Sequence, residues 1–270
     1  MVHRFPHTLL VLLLAAAGWV RAGEAREQVL LLPTRKGVQL PCLLRATEPG
    51  PPRAVAVLFP GGEGRVGLPA DGAPPALDAA GNFLVRTRGL LADAEVAVAV
   101  VDAPSDQPGG MDDGFRSGPA HRADIAILLA ELQARFPGAG IYLVGTSRGT
   151  ISAAHLGVSL GEAVSGVVLT STIFVGTRRG GPGLQGFDFG RIKVPLLFVH
   201  SAEDGCPSCP YAAAGKLGLR FPLVTVRGGA EPESGPCGPL SRHGYLGREP
   251  AVIAAIRQWI LGRPFPARIE

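Results

Sequence analysis

The hydrophobic pattern of the chain alternates between short apolar runs and longer segments with helical periodicity. The apolar runs predict strands that are buried on both faces, and they occupy residues 54–59, 96–101, 141–144, 164–169, 194–199 and 223–226. Amphipathic periodicity predicts helices over residues 82–92, 120–136, 149–160, 211–219 and 251–261. Two further strands, at 28–32 and 38–44, precede this alternation. The pattern predicts an α/β fold with a mostly parallel central sheet flanked by helices.

The N-terminal segment has a different pattern from the rest of the chain. A short basic region is followed by an apolar run at Leu9–Trp19 and by small residues around Ala22. This order is typical of a secretory signal peptide, which we predict over residues 1–22, with Ala25 as an alternative end. The run is shorter than the roughly 20 apolar residues that cross a bilayer. We therefore expect a periplasmic or secreted protein, without membrane insertion after cleavage, whose residues 23–270 form one domain.

The charge balance changes once the signal peptide is set aside. The whole chain has 26 Lys and Arg against 22 Asp and Glu, a net charge of +4. Removal of residues 1–22 takes away Arg4 and Arg21, which leaves 24 basic residues and a net charge of +2. The basic residues form no cluster interleaved with aromatic residues, so nucleic acid is not an expected partner.

A tight turn at residues 145–149 carries the strongest chemical signal. The strand at 141–144 runs into Gly145-Thr-Ser-Arg-Gly149, and a predicted helix follows directly. In this context a Gly-x-Ser-x-Gly pattern holds the serine on a strained turn, and the glycines avoid collisions with neighbouring backbone. We therefore predict that Ser147 is a nucleophile at the carboxyl end of the sheet. The alternative is an ordinary glycine-rich turn, so the prediction depends on partner residues.

An acyl-transfer site also needs a base, and an acid that orients the base. His243 is the favoured base because it lies in a loop after the last predicted strand; His200, which ends a strand, is its rival. Asp204 is the favoured acid because it follows the penultimate predicted strand. The alternative acids are Asp188, Glu203, Glu231 and Glu233. The chain order Ser147, Asp204, His243 is the order found in one family of hydrolase folds.

The donors for a developing oxyanion are expected to be backbone N–H groups. One is the N–H of Arg148, directly after the serine. The second is expected in the loop after the strand at 54–59, where Gly62 follows Pro60-Gly61. Glycine at this position leaves room for a substrate carbonyl group.

These segments together resemble the α/β-hydrolase family. Four segments fall at the positions where that family has its active site: the serine turn, the Phe59-Pro-Gly-Gly62 loop, the Val199–Asp204 segment and Ser241-Arg-His243. No insertion is long enough for a large lid domain. A narrower resemblance is to small exported bacterial hydrolases. It rests on the serine turn together with Val101-Asp-Ala-Pro-Ser-Asp106 and Gly110-Met-Asp-Asp113. Many family members have His-Gly where this chain has Pro60-Gly61.

The resemblance implies a serine hydrolase that acts on a small-molecule ester. Ser147 would be the nucleophile, His243 the base and Asp204 the orienting acid, and the reaction would need neither a metal nor an organic cofactor. A thioesterase, an acyltransferase or a peptidase on the same scaffold is the alternative, and a non-catalytic binding protein is another. The sequence carries no indication of the oligomeric state.

The four cysteines are expected to form disulfides in an oxidising compartment, and three complete pairings are possible. We hypothesise a Cys206–Cys237 bond, because it would join the loop of Asp204 to the loop of His243. Cys42 lies on an early strand at the far edge of the predicted sheet and is expected to be a buried thiol. Cys206-Pro-Ser-Cys209 also has redox-motif spacing, and with His200, Cys237 and His243 it could form a zinc site; both are less favoured alternatives.

Three aspartates in the segment between residues 102 and 118 have no assigned role. Asp106, Asp112 and Asp113 are expected to belong to a solvated loop near the mouth of the predicted site. The functional alternative is that they contact substrate, or fix a wall of the pocket through hydrogen bonds.

Overall fold

A nine-stranded sheet forms the centre of the computed structural model, which describes residues 25–47, 50–69, 77–176 and 181–270. The strands are β1 (Ala25–Arg35), β2 (Val38–Thr47), β3 (Ala54–Phe59), β4 (Val96–Val101), β5 (Gly140–Thr146), β6 (Gly166–Thr170), β7 (Leu196–Ser201), β8 (Leu223–Val226) and β9 (Arg268–Ile269). The helices are α1 (Phe83–Leu91), α2 (Asp113–Ser117), α3 (Pro119–Arg135), α4 (Gly149–Leu160), α5 (Tyr211–Leu217) and α6 (Glu249–Ile260). The predicted signal peptide lies outside the described residues.

The strand order positions a crevice at the centre of the sheet. The order is β1-β2-β4-β3-β5-β6-β7-β8-β9; β1 and β2 form an antiparallel hairpin, β2 is antiparallel to β4, and all later pairs are parallel. The chain passes from β3 to β4 on one side and then crosses to β5 on the other side of β3. In open α/β sheets such a switch point is where ligands bind, at the carboxyl ends of the strands.

Apolar layers on both faces of the sheet hold the helices in place. In β3, Val55 and Val57 contact the layer that includes α3 and α4, whereas Ala56 and Leu58 contact the layer that includes α1 and α6. This alternation follows from the two-residue period of a strand, and it explains why the run at 54–59 is apolar at every position. The predicted α/β architecture with helices on both faces is confirmed.

Two elements were not expected from the sequence. Residues 113–117 form the short helix α2, capped by the Asp112 carboxylate, which accepts a hydrogen bond from the Phe115 N–H at 2.7 Å. The two-residue strand β9 pairs with β8 and extends the sheet beyond its predicted last strand. Both elements are too short for periodicity to reveal. Among the described residues, no helix combines the length and apolar character that a membrane span requires.

Candidate active site

Ser147 lies at the turn between β5 and α4 with a strained backbone. Its φ angle is +51°, in the left-handed region that non-glycine residues rarely adopt. The turn is held by hydrogen bonds from the Ser147 N–H to the Thr170 carbonyl at 3.0 Å and from the Thr150 N–H to the Ser147 carbonyl at 2.9 Å. Such strain persists only where the surrounding structure fixes it, which is typical of functional sites. The serine therefore has the geometry that the sequence pattern predicts.

The two glycines of the turn are required by close backbone contacts. A Cβ atom on Gly145 would overlap the backbone of Gly149, and a Cβ atom on Gly149 would overlap the end of β3 at Phe59. These contacts bring the serine turn directly against the loop after β3. A close approach of this kind leaves space for hydrogen only, as the pattern implies.

His243 lies beside Asp204 at the same edge of the sheet. The His243 Nδ1 atom is 2.9 Å from Asp204 Oδ2, and the Asp204 side chain is fully buried. The other carboxylate oxygen, Oδ1, accepts a hydrogen bond from the Cys206 N–H at 2.9 Å. Among the described residues, no group bonds to His243 Nε2, and the ring lines the same cavity as Ser147. The structure thus brings the three predicted side chains to one site.

Several backbone and side-chain contacts fix the loop that carries His243. The Ser171 Oγ atom lies 2.7 Å from the His243 carbonyl and 2.9 Å from the Tyr245 hydroxyl. That hydroxyl donates to the Val199 carbonyl at 2.7 Å, which ties the loop to the end of β7. Cys206 and Cys237 form a disulfide, the pairing hypothesised from the sequence, and it joins the acid loop to the base loop. Cys42 and Cys209 are buried thiols.

The other histidines are not placed for the same chemistry. His200 Nε2 accepts a hydrogen bond from the Thr172 N–H at 2.6 Å, and the ring stacks on Phe174. His155 packs edge-on against Phe187. His121 is buried between aromatic rings, and neither of its nitrogen atoms has a hydrogen-bond partner among the described residues.

Two of the rival acids contact groups other than the His243 ring. Glu203 accepts a hydrogen bond from the Gly228 N–H at 3.1 Å, and Asp188 accepts one from the Gly190 N–H at 3.0 Å. Asp204 is therefore the carboxylate that the fold pairs with His243.

The loop after β3 approaches the serine from the side of β3. A Cβ atom added to Gly61 would lie 2.9 Å from Ser147 Cβ, so only glycine fits at that position without a shift. Gly62 has a φ angle of +59°, and its N–H donates to no group within the described residues. Gly62 and Arg148 both line a cavity at Ser147, and Arg148 immediately precedes helix α4. This is the arrangement expected of two oxyanion donors supported by the positive end of a helix dipole.

Arg116 is a residue of the site that the sequence did not reveal. Its guanidinium group is 1% exposed and donates to the Gly62 carbonyl at 3.1 Å, to the Pro60 carbonyl at 3.4 Å and to Ser152 Oγ at 3.1 Å. Burial, and then the charge of Arg148, lower its pKa to about 10, so it remains protonated at neutral pH. Arg116 therefore holds the carbonyl groups of the loop that contains Gly62, the candidate oxyanion donor.

We expect Arg116→Met to lower kcat by about 10- to 100-fold, somewhat less than the loss of an oxyanion donor itself. Without these hydrogen bonds, the loop can rotate away from its productive orientation, whereas the ground-state contacts of the substrate remain. The measurement is kcat and KM for a p-nitrophenyl ester. Arg116→Lys should recover part of the loss, and Arg122→Met, on the exposed side of α3, serves as the control. Equal kcat values for the Arg116→Met variant and wild type would refute the positioning role.

Asp113 is buried, whereas the sequence analysis predicted that it would be solvated. Its Oδ1 atom accepts hydrogen bonds from the Arg148 side chain at 2.9 and 3.1 Å, and its Oδ2 atom accepts one from the Gly183 N–H at 2.9 Å. Glu63 contacts the same guanidinium group at 3.1 Å. Asp112 caps α2, and Asp106 pairs with Arg35 at 2.7 Å. Of the three aspartates, Asp113 thus matches the alternative in which hydrogen bonds fix a wall of the pocket.

Two cavities meet at Ser147. The larger has a volume of about 580 Å³ and includes His243, Gly62 and Cys237 in its wall. The smaller has a volume of about 240 Å³ and is lined by Gly62, Arg148 and Cys237, but not by His243.

The cysteines near the site do not form a metal centre in this state. Ligand atoms of Cys206, Cys209 and His243 lie within 4.8 Å of one another. However, Cys206 is oxidised in the disulfide and offers no thiolate, which is the form that binds zinc. Burial raises the pKa of the Cys209 thiol, which also disfavours its thiolate. The residues present therefore do not fit a zinc ion.

Two buried histidines make the stability of the fold depend on pH. Burial lowers the pKa of His200 to about 4 and that of His121 to about 3. In the unfolded chain both rings have a pKa of about 6.5. As the pH falls from 6.5 to 4, the unfolded chain therefore binds protons that the folded protein does not bind. The free energy of unfolding should decrease by about 1.4 kcal/mol per pH unit for each ring.

Urea denaturation at pH 7, 6 and 5 measures this effect. We expect His121→Phe to reduce the slope below pH 6.5 by about 1.4 kcal/mol per pH unit, the contribution of one buried ring. A free energy of unfolding that stays constant from pH 6.5 to 5 would contradict the interpretation.

Comparison with known proteins identifies the fold. No protein-family model and no curated protein matches this sequence. Est1E from Butyrivibrio proteoclasticus superposes with a TM-score of 0.57 at 14% identity, over 89% of this chain and 98% of that one. An α/β serine hydrolase without a lid from Xanthomonas campestris gives 0.55 at 16% identity, over 90% and 96%. The chain has the α/β-hydrolase fold.

An α/β serine hydrolase homologue from Coxiella burnetii is similar as well, with a TM-score of 0.53 at 12% identity over 91% of this chain and 99% of that one. Likeness at these identities establishes the α/β-hydrolase fold alone, and activity has to be argued from the residues of the site. In this α/β-hydrolase fold, the candidate nucleophile follows β5, the candidate acid follows β7 and the candidate base follows β8.

Proposed function

We propose that this protein is a serine hydrolase that cleaves carboxylic esters through an acyl-enzyme intermediate. The arrangement of three side chains carries the proposal. Asp204 fixes the Nδ1 side of His243, and the Nε2 atom is left without a hydrogen bond among the described residues, in a ring that lines a cavity with Ser147. A base oriented in this way next to a strained serine is the arrangement used for acyl transfer.

The reaction proceeds in two halves. Ser147 Oγ attacks the ester carbonyl carbon while His243 Nε2 takes the hydroxyl proton, and the same proton then passes to the departing alcohol oxygen. His243 then deprotonates a water molecule that attacks the acyl-enzyme carbonyl carbon, and the same proton passes to Ser147 Oγ as the bond to the serine breaks and the acid is released. The Asp204 carboxylate stabilises the imidazolium form of His243 that arises in each half.

The oxyanion of each tetrahedral intermediate would bind the N–H groups of Gly62 and Arg148. Removal of one such donor in comparable sites costs about 2.7–4 kcal/mol of transition-state stabilisation. Because the donors belong to the backbone, the proline at position 60 does not remove one. Besides the ester and water, these steps use only side chains and backbone groups of this chain. The proposed mechanism therefore requires no cofactor.

Labelling with a fluorophosphonate probe tests the nucleophile. We expect wild type to be labelled on the peptide that contains Ser147, and Ser147→Ala to remain unlabelled. Ser159→Ala removes an exposed serine from the same helix, α4, and is the matched control that should label normally. A wild-type protein that is folded yet unlabelled would instead favour a non-catalytic binding protein.

The kind of acyl acceptor is a separate question from the nucleophile. A thioesterase, an acyltransferase and a peptidase would all pass the labelling test. Rates with matched oxygen esters, thioesters and amides of one acid distinguish an esterase from a thioesterase and a peptidase, and we expect the oxygen ester to have the highest kcat/KM. Product analysis with an added alcohol distinguishes an acyltransferase, and we expect the free acid to be the main product.

We also propose that the protein is exported to the periplasm or secreted. The apolar run near the N-terminus supports this proposal, and so does a disulfide between loops of the site, since such bonds persist in oxidising compartments. Expression of the full chain, followed by N-terminal sequencing of the periplasmic protein, tests it. A mature N-terminus at or close to residue 23 is expected, and retention of Met1 in the cytoplasm would refute it.

A further inference from the structure

The two cavities that meet at Ser147 differ in chemistry as well as in size. Ile173, Val175 and the Cys206–Cys237 disulfide provide the apolar wall of the smaller cavity. The polar members of that wall include Asp113 and Arg148, which are bonded to each other. Hydrogen-bonding groups satisfied within the wall leave a surface that favours an apolar group.

The wall of the larger cavity combines apolar surface with charged and polar side chains. It contains Glu63, Arg65, Asp78 and Asn82, as well as His243. Arg65 and Asp78 both line this cavity, lie 3.6 Å apart and have side chains that are 51% and 67% exposed, so both remain accessible to a bound molecule. A hydroxyl group can both donate and accept a hydrogen bond, so it can bind to the Asp78 carboxylate or to the Arg65 guanidinium group.

The position of His243 decides which part of an ester occupies which cavity. In the tetrahedral intermediate, the former carbonyl carbon bears the serine oxygen, the oxyanion, the leaving oxygen and the acyl chain. His243 must reach the leaving oxygen in order to protonate it. Because His243 lines only the larger cavity, the alcohol part lies there and the acyl chain extends into the smaller one.

We propose, building on the esterase function proposed above, that the preferred substrates join a short apolar acid to a larger, uncharged, hydroxyl-bearing alcohol. The acyl cavity of about 240 Å³ is smaller than the roughly 300–1,000 Å³ of pockets that hold drug-sized ligands, whereas the alcohol cavity of about 580 Å³ falls within that range. Ile173 and Val175 set the length of the acyl chain, and Arg65 with Asp78 binds the alcohol.

Acyl preference is tested with p-nitrophenyl acetate, butyrate and octanoate, which share one leaving group. One methylene in a fitted pocket changes kcat/KM by about 10- to 200-fold, so we expect wild type to prefer butyrate to octanoate by at least about tenfold. Ile173→Ala should reduce this ratio by enlarging the cavity. Val175→Phe, at a partly exposed position that tolerates a larger side chain, should shift the preference towards acetate.

Leu219→Ala is the control for the acyl series. Leu219 is 87% exposed and precedes β8, at the end of the sheet opposite the site, so the ratio should not change. A higher kcat/KM for octanoate, or an unchanged ratio in both cavity variants, would overturn the assignment of the acyl cavity.

Alcohol preference is tested with glycerol monobutyrate, hexyl butyrate and butyrylcholine, which share one acyl group. We expect the glycerol ester to have the highest kcat/KM and Arg65→Ala to reduce its advantage over the hexyl ester. Preference for the hexyl or the cationic ester would refute this part of the proposal. If the protein labels with a fluorophosphonate but shows the wrong order of esters, this inference alone fails. If it neither labels nor hydrolyses any ester, the proposed function fails with it.

Discussion

Replacement of Ser147 by alanine, of His243 by alanine, and of both together is expected to lower kcat by a similar factor of about a million. The reason is that the serine is a weak nucleophile until the imidazole removes its proton, so each residue is ineffective without the other. Rates of ester hydrolysis for the two single variants and the double variant provide the measurement. The hydrolysis that remains should still exceed the uncatalysed rate, because the N–H groups of Gly62 and Arg148 remain in place.

Fully additive losses would contradict this prediction. If the double variant were slower than wild type by the product of the two single-variant factors, the two residues would act independently. His200→Gln is the informative control for the base, because His200 is the rival candidate and its ring bonds to the Thr172 backbone. This variant should lose stability through the missing packing against Phe174 but retain most of its kcat.

The fold and the meeting of the three candidate side chains could be predicted because they depend on patterns that are local in sequence. Each strand of the parallel sheet has an apolar run, and each carboxyl end of such a strand lies at the same edge. Ser147, Asp204 and His243 follow β5, β7 and β8, so the topology alone brings them together. The cysteine pairing could be hypothesised for the same reason, because both cysteines lie in the loops of the acid and the base.

The supporting residues could not be predicted because their roles arise from tertiary packing. An arginine in a segment rich in glycine and aspartate is typical of a solvated loop, yet Arg116 is buried against carbonyl groups of the loop after β3. Asp113 is one of three aspartates in that segment, and nothing local distinguishes it from Asp106, which pairs with Arg35 on the surface. The partner that buries each residue lies dozens of positions away in the sequence.

Tyr245 illustrates the same limit close to the site. Its hydroxyl group accepts a hydrogen bond from the Ser171 N–H and donates one to the Val199 carbonyl. These two bonds hold the loop of His243 against the ends of the strands. In the sequence it is simply an aromatic residue two positions after the candidate base. Only the pairing of β6 with β7 brings the ends of both strands within reach of its hydroxyl. The precision of the site therefore depends on contacts whose residues carry no sequence signal of their own.

Asp204→Asn is expected to lower kcat by about ten-thousand-fold with little change in the fold. The Cys206 N–H donates to one oxygen of the Asp204 carboxylate, and the other oxygen faces His243 Nδ1. An asparagine would keep its carbonyl oxygen towards the Cys206 N–H, since a buried N–H group without an acceptor is costly. Its NH₂ group would then donate to Nδ1, which forces the ring proton onto Nε2. In that tautomer Nε2 cannot accept the proton of Ser147.

This argument separates the role of Asp204 from that of any nearby acid. Glu203→Gln changes the adjacent carboxylate, whose side chain is 44% exposed. Glutamine can keep the hydrogen bond from the Gly228 N–H and loses only an ion pair with Arg242 at 3.8 Å, which contributes little at an exposed position. We expect kcat for Glu203→Gln to stay within about threefold of wild type, the scale of a surface change of a few tenths of a kcal/mol. Thermal unfolding of both variants should show native-like transitions. A large loss of kcat in Glu203→Gln, combined with a small one in Asp204→Asn, would place the orienting acid one position earlier and require a different hydrogen-bond pattern around His243.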